Sequence, residues 1–246
     1  MPLELGVYVL IGFVAQLVDG ALGMGFGLIC TSVLLTTGVP PAIASASVHT
    51  AEIATTGVAG LSHLWHRNID GVLFRWLAMA GIAGGVLGAY VLTELPEAIV
   101  RPLVTAYLVA MALMIFVRVW RGQRREVSRK GVVPLGAAGG FLDAVGGGGW
   151  GPIVTSTLIA RGDSPRYSIG SVTAAEFFVT LSISVTFLLR LDLSYHWIVG
   201  GLVLGGAVAA PFAGYVSRRL PPRMLMALVG ATVLTISAVN LVRWLA

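Results

Sequence analysis

The chain has 246 residues, of which 57% are hydrophobic and only 11% charged, with a net charge of +5. Soluble domains are about 45–50% apolar and about 25% charged, so this composition excludes an ordinary aqueous domain and points to a polytopic membrane protein. The cations sit in short loops between apolar runs, so membrane anchoring explains them and no nucleic-acid partner is expected; the single cysteine, Cys30, excludes an internal disulfide or a cysteine metal cluster.

In chain order, apolar segments fall at 5–18, 24–37, 41–62, 71–93 and 97–119. After a polar stretch at 118–130 they resume at 132–145, 147–160, 165–189, 196–217 and 223–245. The last three of each set reach the ~20 residues that a spanning helix needs, and the first two do not. Glycines separate the short pairs, at Gly20 to Gly23 and at Gly146 to Gly149. Each pair therefore reads as a helical hairpin that enters the membrane, turns and leaves on the same side.

The chain repeats itself. Shifting it by 124 residues aligns Asp19 with Asp143 and Glu52 with Glu176, with 15 identities in the 38 positions from 19 to 56. Chance in such a composition gives roughly one in ten. From Leu95-Pro96, which matches Leu220-Pro221, the shift is 125. The expected organisation is one transmembrane domain over 1–246, with repeat 1 at 1–120, a cytoplasmic linker at 121–130 and repeat 2 at 131–246. Each repeat is a short broken or re-entrant helix pair followed by three spanning helices.

Loop charge orients the repeats. With returning hairpins and a cytoplasmic 118–130 loop, 13 of the 16 Lys and Arg lie inside and both termini lie outside. If each short pair were one span, the split would be 10 to 6. The fold class is thus all-α and polytopic, with two inverted-topology repeats in a cell (inner) membrane.

Four of the eleven carboxylates fall inside apolar segments: Asp19, Glu52, Asp143 and Glu176, the two repeat-related pairs. An acid there costs about 2.5–3.5 kcal/mol on insertion and commonly marks an ion or substrate path; otherwise it bonds across helices to hold the fold. Glu52 and Glu176 are the coupling candidates. Asp19 and Asp143 precede the glycines and either share that role or cap the following helix.

At a hairpin tip, free amides at a helix N-terminus and glycines without side chains can cradle an anion. Gly23, Gly25 and Gly27 in one tip, with Gly147, Gly148 and Gly149 in the other, are the candidates; turn geometry and close packing are the competing explanation. Trp150 lies in a tip opposite Phe26 and is a candidate pocket residue. Ser45, His49, Glu52 and Thr56 share one helix face, matched by Ile169, Thr173, Glu176 and Thr180. Ser47, His49, Ser171 and Thr173 join the candidate substrate-binding set. His49 has no histidine counterpart, and either moves protons or binds an anion, or is a satisfied core residue. Metal, cofactor and enzymatic motifs are not recognisable, so neither a cofactor nor catalysis is expected.

The run Asp19-Gly-Ala-Leu-Gly-Met-Gly-Phe-Gly, with Pro41 and Glu52 downstream, resembles the first block of the TauE/SafE sulfite exporter family. Phe141-Leu-Asp-Ala-Val-Gly-Gly-Gly-Gly-Trp-Gly-Pro, followed by Gly170-Ser-Val and Glu176, resembles its second. The resemblance implies a secondary transporter of small sulfur-containing anions such as sulfite or organosulfonates, with a coupled proton or sodium ion and the lipid bilayer as its other partners. Four acids without an intramembrane Arg or Lys leave a cation exchanger as an alternative, and a non-transporting scaffold as another.

Overall fold

The computed structural model describes residues 2–22, 24–120, 131–191, 195–219 and 222–245. Among them there is no strand. The first half holds α1 (Pro2–Leu22), α2 (Phe26–Thr36), α3 (Pro41–Trp65), α4 (Gly71–Glu94) and α5 (Glu97–Trp120). The second holds α6 (Val132–Gly146), a π-helical turn (Gly151–Thr155) continued by α7 (Ser156–Ala160), then α8 (Pro165–Arg190), α9 (His196–Arg219) and α10 (Pro222–Leu245). The linker, 121–130, lies outside the described residues.

Local chemistry sets these boundaries. Pro41 and Pro165, repeat mates, open α3 and α8 at a position where the missing N–H costs nothing. Asp70 caps α4, its Oδ1 accepting from the amides of Val72 at 3.0 Å and Leu73 at 3.1 Å. Gly147, with φ +66°, ends α6 in the left-handed region.

Three described helices are long and apolar enough to cross a membrane: Gly71–Glu94, Glu97–Val117 and Pro165–Arg190. α3 is long enough at 25 residues but carries the polar face of Ser45, His49 and Glu52. α2, at 11 residues, rises only about 16 Å, half of a bilayer core. α1 differs from expectation: it runs 21 residues, because Asp19 to Leu22 remain helical and the turn comes three residues later. Large apolar side chains such as Leu10, Leu61, Met79 and Leu204 stand exposed on outer faces, and Trp65, Trp76 and Trp197 stand exposed near helix ends.

The two halves pack by exchange. α1 lies along α9, and its repeat mate α6 lies along α4, the mate of α9. The same residues make both contacts: a Cβ on Gly12 would fall 2.7 Å from Leu202 Cα, and one on Gly136 would fall 3.3 Å from the Leu77 carbonyl. Those pairs are repeat equivalents, so glycine there permits backbone contact rather than flexibility. At the centre α3 packs on α8. Gly57 meets the Phe177 ring, Gly60 meets Ala174 and Gly170 meets Asn68, so numbers rise along one helix as they fall along the other. The equivalent helices α3 and α8 run antiparallel.

Candidate functional site

The hairpin turns meet at the centre. A Cβ on Gly27 would lie 2.5 Å from Gly148 Cα and 2.9 Å from the Gly147 carbonyl, so the two tips touch instead of flanking a gap. Cross-links fix this meeting. The Thr31 hydroxyl donates to the Gly147 carbonyl, and the Tyr107 hydroxyl donates to the Gly148 carbonyl at 2.9 Å. A side chain on Gly149 would strike the Tyr107 hydroxyl. Gly25, at φ +119°, turns the chain into α2. Gly23 lies outside the described residues.

The first amides of the second helices are already engaged. Asp19 Oδ1 accepts from the Phe26 amide at 3.3 Å, and its mate Asp143 Oδ1 accepts from the Trp150 amide at 2.9 Å. Both bonds span seven residues and are repeat equivalents, so the two aspartates act as caps across the tips. The Gly27 amide bonds to the Glu52 carboxyl.

Beside the tips, between α1, α3 and α8, lies a cavity of about 330 Å³. Asp19 and Glu176 face it, with Gln16, Thr55, Thr56, His63 and Thr173 supplying polar groups and Leu22, Ala59 and Ile169 apolar walls. The Gln16 amide oxygen is buried and has no hydrogen-bond partner among the described residues. A buried acceptor left so is costly unless a ligand or water meets it. Among the described residues, neither Arg nor Lys lines this cavity.

Glu52 and Asp143, exposed by 6% and 2%, are not among the residues lining this cavity. His49, fully buried, places Nε2 3.1 Å from Asp143 Oδ2 and Nδ1 2.8 Å from the Ser45 carbonyl. A carbonyl only accepts, so Nδ1 carries hydrogen; the Nε2–Oδ2 contact then needs a second hydrogen, on either atom. The Ser45 hydroxyl donates to the Ala144 carbonyl at 2.6 Å.

The structure thus brings Asp19, Glu176 and Thr173 together at the cavity, and His49, Glu52 and Asp143 in a closed cluster. Trp150 joins neither: it is fully buried, its indole N–H donating to the Val172 carbonyl at 3.1 Å, with its ring against Gly81. Ser171 bonds the Asp70 amide at 2.8 Å, which ties α8 to the start of α4. Ser47 is buried, and its hydroxyl has no partner among the described residues. Sequence reasoning missed Gln16, Thr55, His63 and Tyr107. Gln16 had a usable signal, an amide in an apolar segment one turn before Asp19; the others gave none.

The family profile of the sulfite exporter TauE/SafE matches residues 8–241. The probable membrane transporter protein YtnM of Bacillus subtilis (strain 168) is 37% identical over 255 residues, an alignment covering 99% of this chain and 85% of that protein. No solved structure matches.

Proposed function

The chain belongs to the sulfite exporter TauE/SafE family of membrane transporters, and from that premise we propose that it is a secondary transporter of small sulfur-containing anions, such as sulfite or organosulfonates. The observation that carries the reading is the polar cavity beside the tip crossing, with Asp19 and Glu176 in its wall. Its volume of about 330 Å³ suits a ligand of few atoms, at the low end of the range of small-molecule sites. Thr173, His63 and the Gln16 amide supply donors for sulfonate or sulfite oxygens, whereas the Thr55 and Thr56 hydroxyls already donate to the Glu52 carbonyl. Asp19 and Glu176 either donate when protonated or hold the coupled proton or sodium ion.

Because the tips touch, this site is beside them and not between them. The helix-end amides hold carboxylates of the protein itself, so the side-chain donors bind the anion. We further infer that the repeats are inverted in the membrane, since the antiparallel packing of equivalent helices α3 and α8 supports opposite orientation. With 63–75 and 161–166 as cytoplasmic loops, His63 and Ile169 in the cavity wall support a mouth on the cytoplasmic side. One repeat moving against the other then gives alternating access.

A second reading, a proton- or sodium-coupled cation exchanger, is favoured by one observation: acids face the cavity and Arg and Lys do not. A thermal-shift panel on the purified protein separates the two, because a ligand of the folded state raises its apparent stability. Stabilisation by sulfite, thiosulfate, taurine or sulfoacetate, reduced in Glu176→Gln, supports anion transport. Stabilisation by sodium alone supports cation exchange.

A further inference from the structure

The cavity has a counterpart that is shut. Carried through the repeat, its lining residues Gln16, Asp19, Thr56, Ala59, Thr173 and Glu176 become Gly140, Asp143, Thr180, Ile183, His49 and Glu52. Every one of those six counterparts is buried. The two sets share their chemistry. Thr56 donates its hydroxyl to the Glu52 carbonyl at 2.6 Å, and its mate Thr180 donates to the Glu176 carbonyl at 2.9 Å. Each set contains one aspartate that caps a hairpin tip.

What differs is the closure. On the shut side His49 bonds Asp143, Ser45 bonds the Ala144 carbonyl, and the Phe187 ring stands 6.4 Å from the His49 ring. Two contacts therefore join α3 to α6, and the third brings α8 against α3. On the open side the residues matching His49 and Phe187 are Thr173 and His63, and both face the cavity. Thr173 has too short a side chain to reach across to Asp19 as His49 reaches Asp143.

We propose that this shut cluster of Ser45, His49, Glu52, Asp143 and Thr180 is the same small-anion site seen from the opposite membrane face, held closed by the His49–Asp143 hydrogen bond. The inference rests on the transport reading and adds to it the residues that line the site in its other-facing form. Opening that face requires α3 and α6 to part at His49 and Asp143. The cavity around Asp19 and Glu176 closes in the same movement, because Glu52 and Glu176 sit on the two helices that pack together at the centre.

The test uses Thr56 and Thr180 as paired reporters. Cys30, the only cysteine, is replaced by alanine, and Thr56→Cys or Thr180→Cys is introduced singly. A membrane-impermeant methanethiosulfonate is then applied to vesicles from either side. The cysteine at 56 is expected to react from the cytoplasmic side and the one at 180 to be protected. Adding His49→Thr, which installs the residue found at the equivalent position, should speed reaction at 180 about tenfold from the opposite side, the shift expected from losing one buried hydrogen bond. Asp143→Asn is the control: its oxygen accepts from the Trp150 amide and its NH2 donates to His49 Nε2, so position 180 should stay protected.

Position 180 remaining protected in His49→Thr, with position 56 still reactive, would overturn the latch. So would equal reactivity of the two positions in the parent. Sulfite counterflow by the unsubstituted protein in parallel vesicles separates the failures: flux without a switch in labelling sinks only this inference, and a switch without flux of any sulfur anion by the unsubstituted protein sinks the substrate reading instead.

Discussion

Gly148→Ala probes the crossing of the hairpin tips. Gly148 has φ +145°, a conformation that only glycine adopts readily, and a Cβ there would lie 2.5 Å from the Leu28 nitrogen and 2.6 Å from Gly27 Cα. The obstacles are backbone atoms of the opposing tip, so a rotamer change cannot relieve them. Backbone strain of about 1–3 kcal/mol and overpacking of about 1–3 kcal/mol add to roughly 2–6 kcal/mol. At about 2–4 °C per kcal/mol for a chain of this size, Tm should fall by at least about 4 °C. Gly38→Ala is the control: Gly38 also has positive φ, +88°, but nothing within 4 Å of the added carbon. Its cost should be the backbone strain alone, about 1 kcal/mol. Thermal unfolding of the two variants in one detergent decides the matter. Equal Tm losses would refute the claim that the tips are in contact.

Other outcomes follow from the same geometry. Glu176→Gln and Glu52→Gln should abolish or uncouple flux while the protein still inserts, checked by flux assay and membrane fractionation; the amide introduced by Glu52→Gln retains an oxygen for the Gly27 N–H. Asp19→Ala should lower stability by about 1 kcal/mol through the lost cap at Phe26, whereas Asp19→Asn should keep the cap and most of the stability; thermal unfolding distinguishes them. Trp150→Ala should cost about 3–5 kcal/mol, because the ring is fully buried against Gly81 and Gly139. A loss below about 1 kcal/mol would return Trp150 to the candidate pocket.

Most helices were legible because bilayer length and glycine punctuation act locally. Pro41 and Pro165 marked the starts of α3 and α8, and the repeat paired Asp19 with Asp143 before any contact was known. The N-terminal helix was harder. Gly20 looked like a breaker, yet α1 continues to Leu22, since a single glycine in a helix costs only about 1 kcal/mol and packing against α9 outweighs it. The glycine tips were found, but what fills the space beside their backbone was not. Periodicity cannot say that Gly27 of one tip faces Gly148 of the other, because that contact joins residues 121 apart. The cavity was half visible: Thr56, Ile169, Thr173 and Glu176 fell on the faces read from helical spacing, whereas Gln16 and His63 come from neighbouring elements. Capping by the two aspartates was legible as one of two readings, and the structure shows both caps, though at an unusual reach. Their caps reach across a turn of seven residues, beyond the few positions within which a capping side chain ordinarily works.

The most direct test of the account is counterflow in proteoliposomes preloaded with unlabelled sulfite or taurine, with the labelled anion added outside. The account predicts accumulation that saturates, is competed by other small sulfur anions, and disappears in Glu176→Gln protein that is otherwise folded. Accumulation of labelled sodium instead, with every sulfur anion left outside, would contradict it.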